Sequence, residues 1–433
     1  MKKTIRGVCL SLLILLSIFS LWKNPLSIED IKDASSEPLP IFSKNTGQDL
    51  HPMALGPGLI NLSPADHFST YQWGLKNDGE FRLVEMVSKF KAVDDLYSGP
   101  TSFEGGRTLQ PEPSDYESKI TKAIPGIDIN IRPAWDLYDK QSEKRSVLVA
   151  IIDTGIDINH KELKHAIWSN PGEIDGNGID DDGNGYIDDV HGWNFYSGNN
   201  QVFTGDEDSH GTHAAGTISA ARGTYGIAGI TDNHYVKIMS LKALGGSKGI
   251  GSPSEVIEAI RYAEANGASI CNLSMGTTAY SQELADTIHN SNMLFVVSCG
   301  NGGVSGLGYD TDEHPVYPAS LPYDNVISVA NLLFDGTLSK DSNYGEKSVD
   351  LAAPGTYILS TIPDNAYGFM SGTSMAAPMV TGVAAMLYSY RQDLSLLDVK
   401  SILIDSSKKT DALAGKTVSN GLLDAYGALT WGQ

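Results

Sequence analysis

The chain has 433 residues, of which 41% are apolar and 19% charged, and its formal net charge is −21. This composition can bury a large core, which excludes an intrinsically disordered chain. The acidic excess excludes a nucleic-acid binder, since nothing would neutralise a phosphate backbone.

The amino terminus reads as an export leader. Lys2, Lys3 and Arg6 precede an apolar run from Val8 to Trp22. That run suits a signal-peptide core and is short for a spanning helix of about 20 residues. Residues 1–26 are therefore assigned to a signal peptide, or to a signal anchor if uncleaved. The chain is expected outside the cell, with a membrane involved only if the leader stays attached. Residues 27–65 lack periodicity and are rich in Ser, Pro and Asp, as in a linker or short pro-segment. Glu80–Val87 is ambiguous, and Leu96–Tyr116 has the Gly, Pro, Ser and Glu of an exposed loop.

A regular alternation follows. Ser146–Ile152 is a nearly continuous apolar run and predicts a buried parallel strand. Gly211–Arg222 predicts a helix, Val236–Leu241 a strand, Ser254–Asn266 a helix and Ala268–Leu273 a strand. Gln282–Asn290 continues as a helix, Met293–Ser298 and Val326–Ala330 as strands, and Ser374–Tyr390 as a long helix of small residues. Strands alternating with helices imply an α/β fold, a doubly wound and mostly parallel sheet flanked by helices. Cys271 and Cys299 fall in apolar, strand-like runs and are expected to be buried free thiols, while Cys9 lies in the leader.

Ligand sites in such sheets lie beyond the carboxyl ends of the strands. That rule singles out Asp153, Ser274 and Asn301, each of which follows a predicted strand. Ser374 opens a helix after Gly372, which allows a tight turn, and Pro378 is tolerated close to the helix start. A serine hydroxyl attacks only when a base takes its proton, which His210 could do. Asp153 could hold that imidazole through its other nitrogen. The Asn301 amide could donate to an oxyanion. Taken singly, the same residues also read as a helix cap, a solvated or core histidine, a turn aspartate and a turn asparagine. His213 competes with His210.

Asp175–Asp189 reads DGNGIDDDGNGYIDD. Asp180, Asp182, Asn184 and Asp188, with the Tyr186 carbonyl, match the spacing that wraps hard oxygen ligands around Ca²⁺. Position twelve of this pattern is His191 and the flanks are not two helices, so it is not an EF-hand. A plain acidic surface loop is the competing reading. A structural Ca²⁺ would relieve the repulsion among these carboxylates.

With these segments in hand, the chain resembles the subtilisin (subtilase) family of serine peptidases. The resemblance rests on AIIDTGIDINHKEL around Asp153, HGTHAAGTI at His210 and GTSMAAPMVTG at Ser374, in the order Asp, His, Ser. NLSMG at Asn272–Gly276, SCGNGG at Ser298–Gly303 and AAPGTYILST at Ala352–Thr361 also match, and the likeness runs from about Gly126 to Leu429. It implies Ser374 as nucleophile, His210 as general acid and base, Asp153 as orienting carboxylate and Asn301 as oxyanion donor. It also implies a peptide cleft edged by Ser274, Met275, Gly276 and Gly300 on one side and by Gly249–Gly251 on the other. The expected partners are protein or peptide substrates, cut with broad specificity and an apolar preference in the primary pocket. The chain is expected to be a monomer.

Two departures accompany the resemblance. Thr70–Gly79 (TYQWGLKNDG) resembles the start of many bacterial catalytic domains of this family, but its usual continuation arrives only at Gly126–Trp135. Residues 66–125 are therefore either the start of the catalytic domain with an insertion, or an atypical pro-segment; residues 126–433 form the peptidase domain. The loop ARGTYGIAG has Gly223 where the family often has an Asn ligand for calcium, although Glu162 falls where a ligating carboxylate often occurs. Two rivals share the motifs: a pseudoprotease that only binds peptides, and a processing peptidase with one dedicated substrate. An α/β hydrolase would need a G-x-S-x-G elbow, which Ser371–Ser374 does not supply.

Overall fold

The apolar runs become the strands of a nine-stranded sheet in the computed structural model, which describes residues 68–79, 103–105, 123–223, 225–246, 249–302 and 306–433. The leader, the linker 27–65, Glu80–Val87, Cys9 and all of the Leu96–Tyr116 loop except 103–105 lie outside the described residues. In chain order the strands are β1 (Phe103–Gly105), β2 (Val147–Asp153), β3 (Gly192–Asn194), β4 (Val236–Lys242), β5 (Ile250–Gly251), β6 (Ile270–Leu273) and β7 (Met275–Gly276). They continue as β8 (Leu294–Ser298), β9 (Val326–Leu332), β10 (Leu351–Pro354), β11 (Ile358–Ile362), β12 (Ala366–Met370), β13 (Lys408–Lys409) and β14 (Gly421–Leu422). The helices are α1 (Ile131–Lys140), α2 (Ser209–Ser219), α3 (Pro253–Ala265), α4 (Gln282–Asn290), α5 (Thr373–Tyr390), α6 (Leu396–Asp405) and α7 (Ala425–Thr430).

The large sheet has the order β13-β14-β10-β9-β8-β6-β2-β4-β3 and is parallel except for the β13–β14 pair at its edge. Successive side chains of a strand point to opposite faces, so each strand feeds two cores. Val149, Ile151, Val296 and Val329 pack on one face with α2 and α5. Ala150, Ile152, Cys271 and Val297 pack on the other with α3 and α4. Burying an Ile or Val side chain is worth about 1.5–3 kcal/mol, which is why these strands read as largely apolar runs. Cys271 and Cys299 are buried and free, as expected.

Helix α3 starts one residue earlier than its apolar spacing suggests, because Ser252 and Glu255 form a reciprocal capping box and Pro253 occupies the first turn. Helix α2 begins at Ser209 and includes His210 in its first turn. Two smaller sheets complete the fold. The hairpin β11–β12 packs against α2, and β1 lies between β5 and β7, antiparallel to both. Among the described residues no helix is long and apolar enough to cross a membrane.

Candidate active site

Three neighbouring strands, β2, β6 and β8, carry the candidate residues at their carboxyl ends. Ile151 pairs with Asn272, and Leu273 with Val297. Asp153, Ser274 and Asn301 therefore emerge from the same edge of the sheet, though they are far apart in sequence.

Asp153 ends β2 and is 1% exposed. Its Oδ1 accepts a hydrogen bond from His210 Nδ1 at 2.7 Å and another from the Thr154 amide at 2.6 Å. Because the carboxylate can only accept, Nδ1 carries the proton and Nε2 of the neutral ring is the basic nitrogen. Helix α2 can come this close to β2 only because residue 211 is glycine. A Cβ there would stand 2.2 Å from the Gly155 carbonyl and 3.2 Å from Asp153 Cβ. Lys242 secures the same corner: its ammonium donates to the Thr154 carbonyl, to Asp208 at 2.5 Å and to Glu207 at 3.1 Å.

Ser374 lies in the first turn of α5 and is 1% exposed. Its hydroxyl donates to the Ser274 carbonyl at 3.1 Å, and its own carbonyl accepts from Ser274 Oγ at 2.9 Å. The second bond explains Pro378, which sits inside the helix and not at its very start. Proline at that position has no amide to offer the carbonyl four residues back. That carbonyl belongs to Ser374, and Ser274 supplies the missing donor. The helix thus gives up one internal bond and gains a tie from the serine to the β6–β7 junction.

Asn301 is fixed from the other side. Its Oδ1 accepts from the Thr373 amide at 3.0 Å and from Thr373 Oγ1 at 3.2 Å. The donor atom Nδ2 stands beside Gly372, 3.3 Å from where a Cβ would be. Gly372 has φ of 143°, so both its conformation and its neighbour require glycine.

Gly276 and Gly300 share one neighbour that sequence patterns did not mark. A Cβ at Gly276 would lie 2.9 Å from Val316 Cγ1, and one at Gly300 would lie 3.4 Å from the same atom. Val316 is a lone valine far along the chain, and its place at this wall has no local signature. Gly249, with φ of 57°, leads into β5 opposite. Met275 and Gly276 form β7, so the two predicted cleft edges are the two strands that flank β1.

His213 does not compete with His210. It is buried, and its Nε2 donates to the Ile358 carbonyl at 2.9 Å, with burial holding the ring down to about 3. Glu162 is also buried. Its Oε1 accepts from the amides of Gly226 at 2.7 Å and Ile227 at 3.2 Å and from Tyr367 Oη at 2.6 Å. Burial raises its pKa above the ordinary carboxylate value.

The acidic loop divides its residues. Asp180 accepts from the amides of Asn184 and Gly185, and Asp188 from those of Asn177 and Gly178, at 2.8–3.0 Å. Tyr186 turns its ring to Trp193, Phe195 and Tyr262. Asn184 donates to Asp182 and Asp189 through Nδ2. Of the five predicted ligands, Asp182 alone joins a carboxylate group, with Glu173 and Asp189, whose oxygens lie within 4.8 Å of one another. A cluster of hard oxygens fits Ca²⁺ better than a softer metal. Glu173 and Asp189 escape the sequence pattern because Glu173 lies before it and Asp189 is one residue out of phase with Asp188.

Comparison with known proteins agrees with this geometry. The family model described as the subtilase family, peptidase S8, matches residues 144–428. The chain is 34% identical over 303 residues to the major intracellular serine protease of Bacillus subtilis (strain 168), covering 68% of this chain and 86% of that one. It is 36% identical over 299 residues to subtilisin-like protease 1 of Plasmodium falciparum (isolate 3D7), covering 65% of this chain but only 43% of that protein. A solved cold adapted subtilisin-like serine proteinase superposes with a TM-score of 0.51 at 27% identity, covering 65% of this chain and 89% of that one.

Proposed function

As the chain belongs to the subtilase family and is a subtilisin-like serine endopeptidase acting on proteins or peptides, we propose that Asp153, His210 and Ser374 are its catalytic triad. The observation that carries this reading is the 2.7 Å bond between His210 and Asp153, formed one strand away from the Ser274 carbonyl that holds the Ser374 hydroxyl. With Nδ1 donating to Asp153, the lone pair of Nε2 can take the serine proton once the hydroxyl turns from Ser274. Ser374 Oγ then adds to the substrate carbonyl, and His210 returns the proton to the leaving amine. Asn301 Nδ2 and the Ser374 amide at the start of α5 would receive the oxyanion. Water, deprotonated by the same imidazole, completes hydrolysis of the acyl-enzyme.

Substrate would lie as a strand between β5 and β7, with its primary side chain near Ser274–Gly276 and Gly300. Val316 supports an apolar preference in that pocket, and walls at Gly276 and Gly300, which bring no side chain of their own, support broad specificity. The acidic net charge and the leader support a secreted monomer. Structural calcium is common in the family, and we infer a site in the Asp175–Asp189 loop in which Asp182 is joined by Glu173 and Asp189. Such an ion would neutralise crowded carboxylates and steady the segment between Asp153 and His210.

The experiment is the Ser374→Ala chain assayed on a peptide library beside the unmodified enzyme. The expected loss in kcat is on the order of 10⁶-fold, the scale known for subtilisin. Undiminished hydrolysis would reject the assignment. The library profile separates broad cleavage from a single dedicated substrate.

A further inference from the structure

We propose that Asn272 and Thr381 are positioning residues for Ser374, joined to it through Ser274 by a relay of hydrogen bonds that runs in one direction. This rests on the peptidase reading above. Asn272 is the one amide side chain of β6, whose other members are Ile270, Cys271 and Leu273. It is fully buried, and its neighbours across the sheet are Ile151 of β2 and Val296 of β8. Burying an amide among apolar strands is costly unless its hydrogen bonds are met. Both ends of the Asn272 amide are met. Thr381 Oγ1 donates to its Oδ1 at 2.8 Å, and its Nδ2 donates to Ser274 Oγ at 2.9 Å. Ser274 Oγ in turn donates to the Ser374 carbonyl at 2.9 Å. Thr381 and Ser274 are fully buried as well, so the relay is closed to bulk solvent.

Such a relay could run in two directions, because an amide presents donors at one end and an acceptor at the other. Turned over, Asn272 would donate to Thr381, whose hydrogen would pass to the Ala377 carbonyl, 3.0 Å away. Ser274 would then donate to Asn272 and release Ser374. Ala377 does not need that hydrogen, since it lies inside α5, where the helix ladder serves its carbonyl. The Ser374 carbonyl does need a donor, since Pro378 has no amide to give it. A buried carbonyl left without a donor is costly, so the direction that ends on Ser374 wins. Pro378 thereby sets the orientation of an amide on another element. That amide commits the Ser274 hydroxyl to the backbone of the nucleophile.

The consequence is geometric. Ser274 grips Ser374 twice, through its hydroxyl on the Ser374 carbonyl and through its own carbonyl, which accepts the Ser374 hydroxyl at 3.1 Å. With the relay intact, the first turn of α5 is tied to the β6–β7 junction, and the Ser374 hydroxyl and amide are fixed with it. Without the relay, the Ser274 hydroxyl is free to rotate away, and the Ser374 carbonyl loses its substitute donor. An error of about 1 Å at a reacting group costs on the order of 10²-fold in rate. Loosening Ser374 without displacing it outright should cost about tenfold. Asn272 and Thr381 act through Ser274 and not on the substrate.

Ser374 reactivity is read directly as the rate of its labelling by an organophosphonyl fluoride. kcat and KM on a peptide and the Tm of each labelled chain are measured in parallel. Thr381→Val and Asn272→Leu keep the approximate shape and remove the relay. Each should slow labelling and lower kcat about tenfold with little change in KM. The double variant should lose no more than either single one, because one relay is broken only once. Thr381→Ser keeps the hydroxyl and should recover the rate that Thr381→Val loses. The Tm of the double variant should not fall, since replacing both members of a buried polar pair by apolar groups is nearly neutral or stabilising. Undiminished labelling of Thr381→Val overturns the proposal, and that variant decides the matter if Asn272→Leu does not fold. Losses that multiply in the double variant, or that Thr381→Ser fails to recover, overturn it too. A Tm that falls in step with the labelling rate makes the pair structural and has the same effect. An unmodified chain that is neither labelled at Ser374 nor active on the peptide overturns the peptidase reading instead.

Discussion

Replacing Lys242 with methionine probes the clamp beside the proposed triad. Lys242 is 1% exposed and bonds Thr154, which follows Asp153, and Asp208, which precedes α2. Methionine keeps most of the stem and removes the charge. Asp208, fully buried, keeps its bond from Thr204 Oγ1 at 3.0 Å but loses the cation on Oδ1. Breaking a buried pair from one side costs about 3–5 kcal/mol. The retained Thr204 bonds place the expected loss near the low end, about 3 kcal/mol, or roughly a hundredfold in the folding equilibrium. The loss should depend on pH. Burial raises the Asp208 pKa, and Lys242 opposes that rise, so its removal raises the pKa further. A carboxyl with a raised folded pKa destabilises the fold while ionised and ceases to do so once protonated. The deficit should therefore shrink as pH falls from neutrality towards the raised folded pKa. Urea unfolding across the acid range, in the Ser374→Ala background to prevent self-digestion, gives the answer. A deficit below about 1 kcal/mol, or one independent of pH, would refute the idea that Lys242 compensates a buried charge.

Asn301→Leu should lower kcat by about 10²–10³-fold, the scale known for the corresponding donor in subtilisin, with little change in KM; a change confined to KM would remove Asn301 from the oxyanion role. His160 and His213 are buried and held to about 4 and about 3. The unfolded chain therefore takes up protons first, and the stability due to their neutrality is intact above about 6.5 and declines as pH falls towards those values. His160→Gln should flatten the stability profile between pH 7 and 5 by up to about 2 kcal/mol at the acid end, and an unchanged slope would contradict this. Chelation should lower the Tm of the Ser374→Ala chain, and Asp182→Ala should abolish the calcium response; a Tm indifferent to both calcium and chelator would dispose of the inferred site.

The α/β alternation was readable because a strand covered on both faces must be apolar along its length, as β2 is from Val147 to Ile152 and β8 from Leu294 to Val297. The proposed triad was readable as local strings, because each side chain needs its own scaffold. Gly211 must admit a neighbouring strand, and Gly372 must turn the chain ahead of a helix. What one dimension could not carry was the relation between distant segments. Only the parallel register of β2, β6 and β8 brings Asp153, Ser274 and Asn301 to one edge. Only the packed fold shows that Pro378 frees a carbonyl for Ser274, that Val316 closes the wall by two glycines, and that Glu173 and Asp189 gather around Asp182. The gap between Thr70–Gly79 and Gly126–Trp135 was visible as an interrupted motif, and the strand β1 that it carries was not. That Phe103–Gly105 completes a sheet between β5 and β7 depends on backbone groups that every residue type shares, and such groups leave no mark in a sequence.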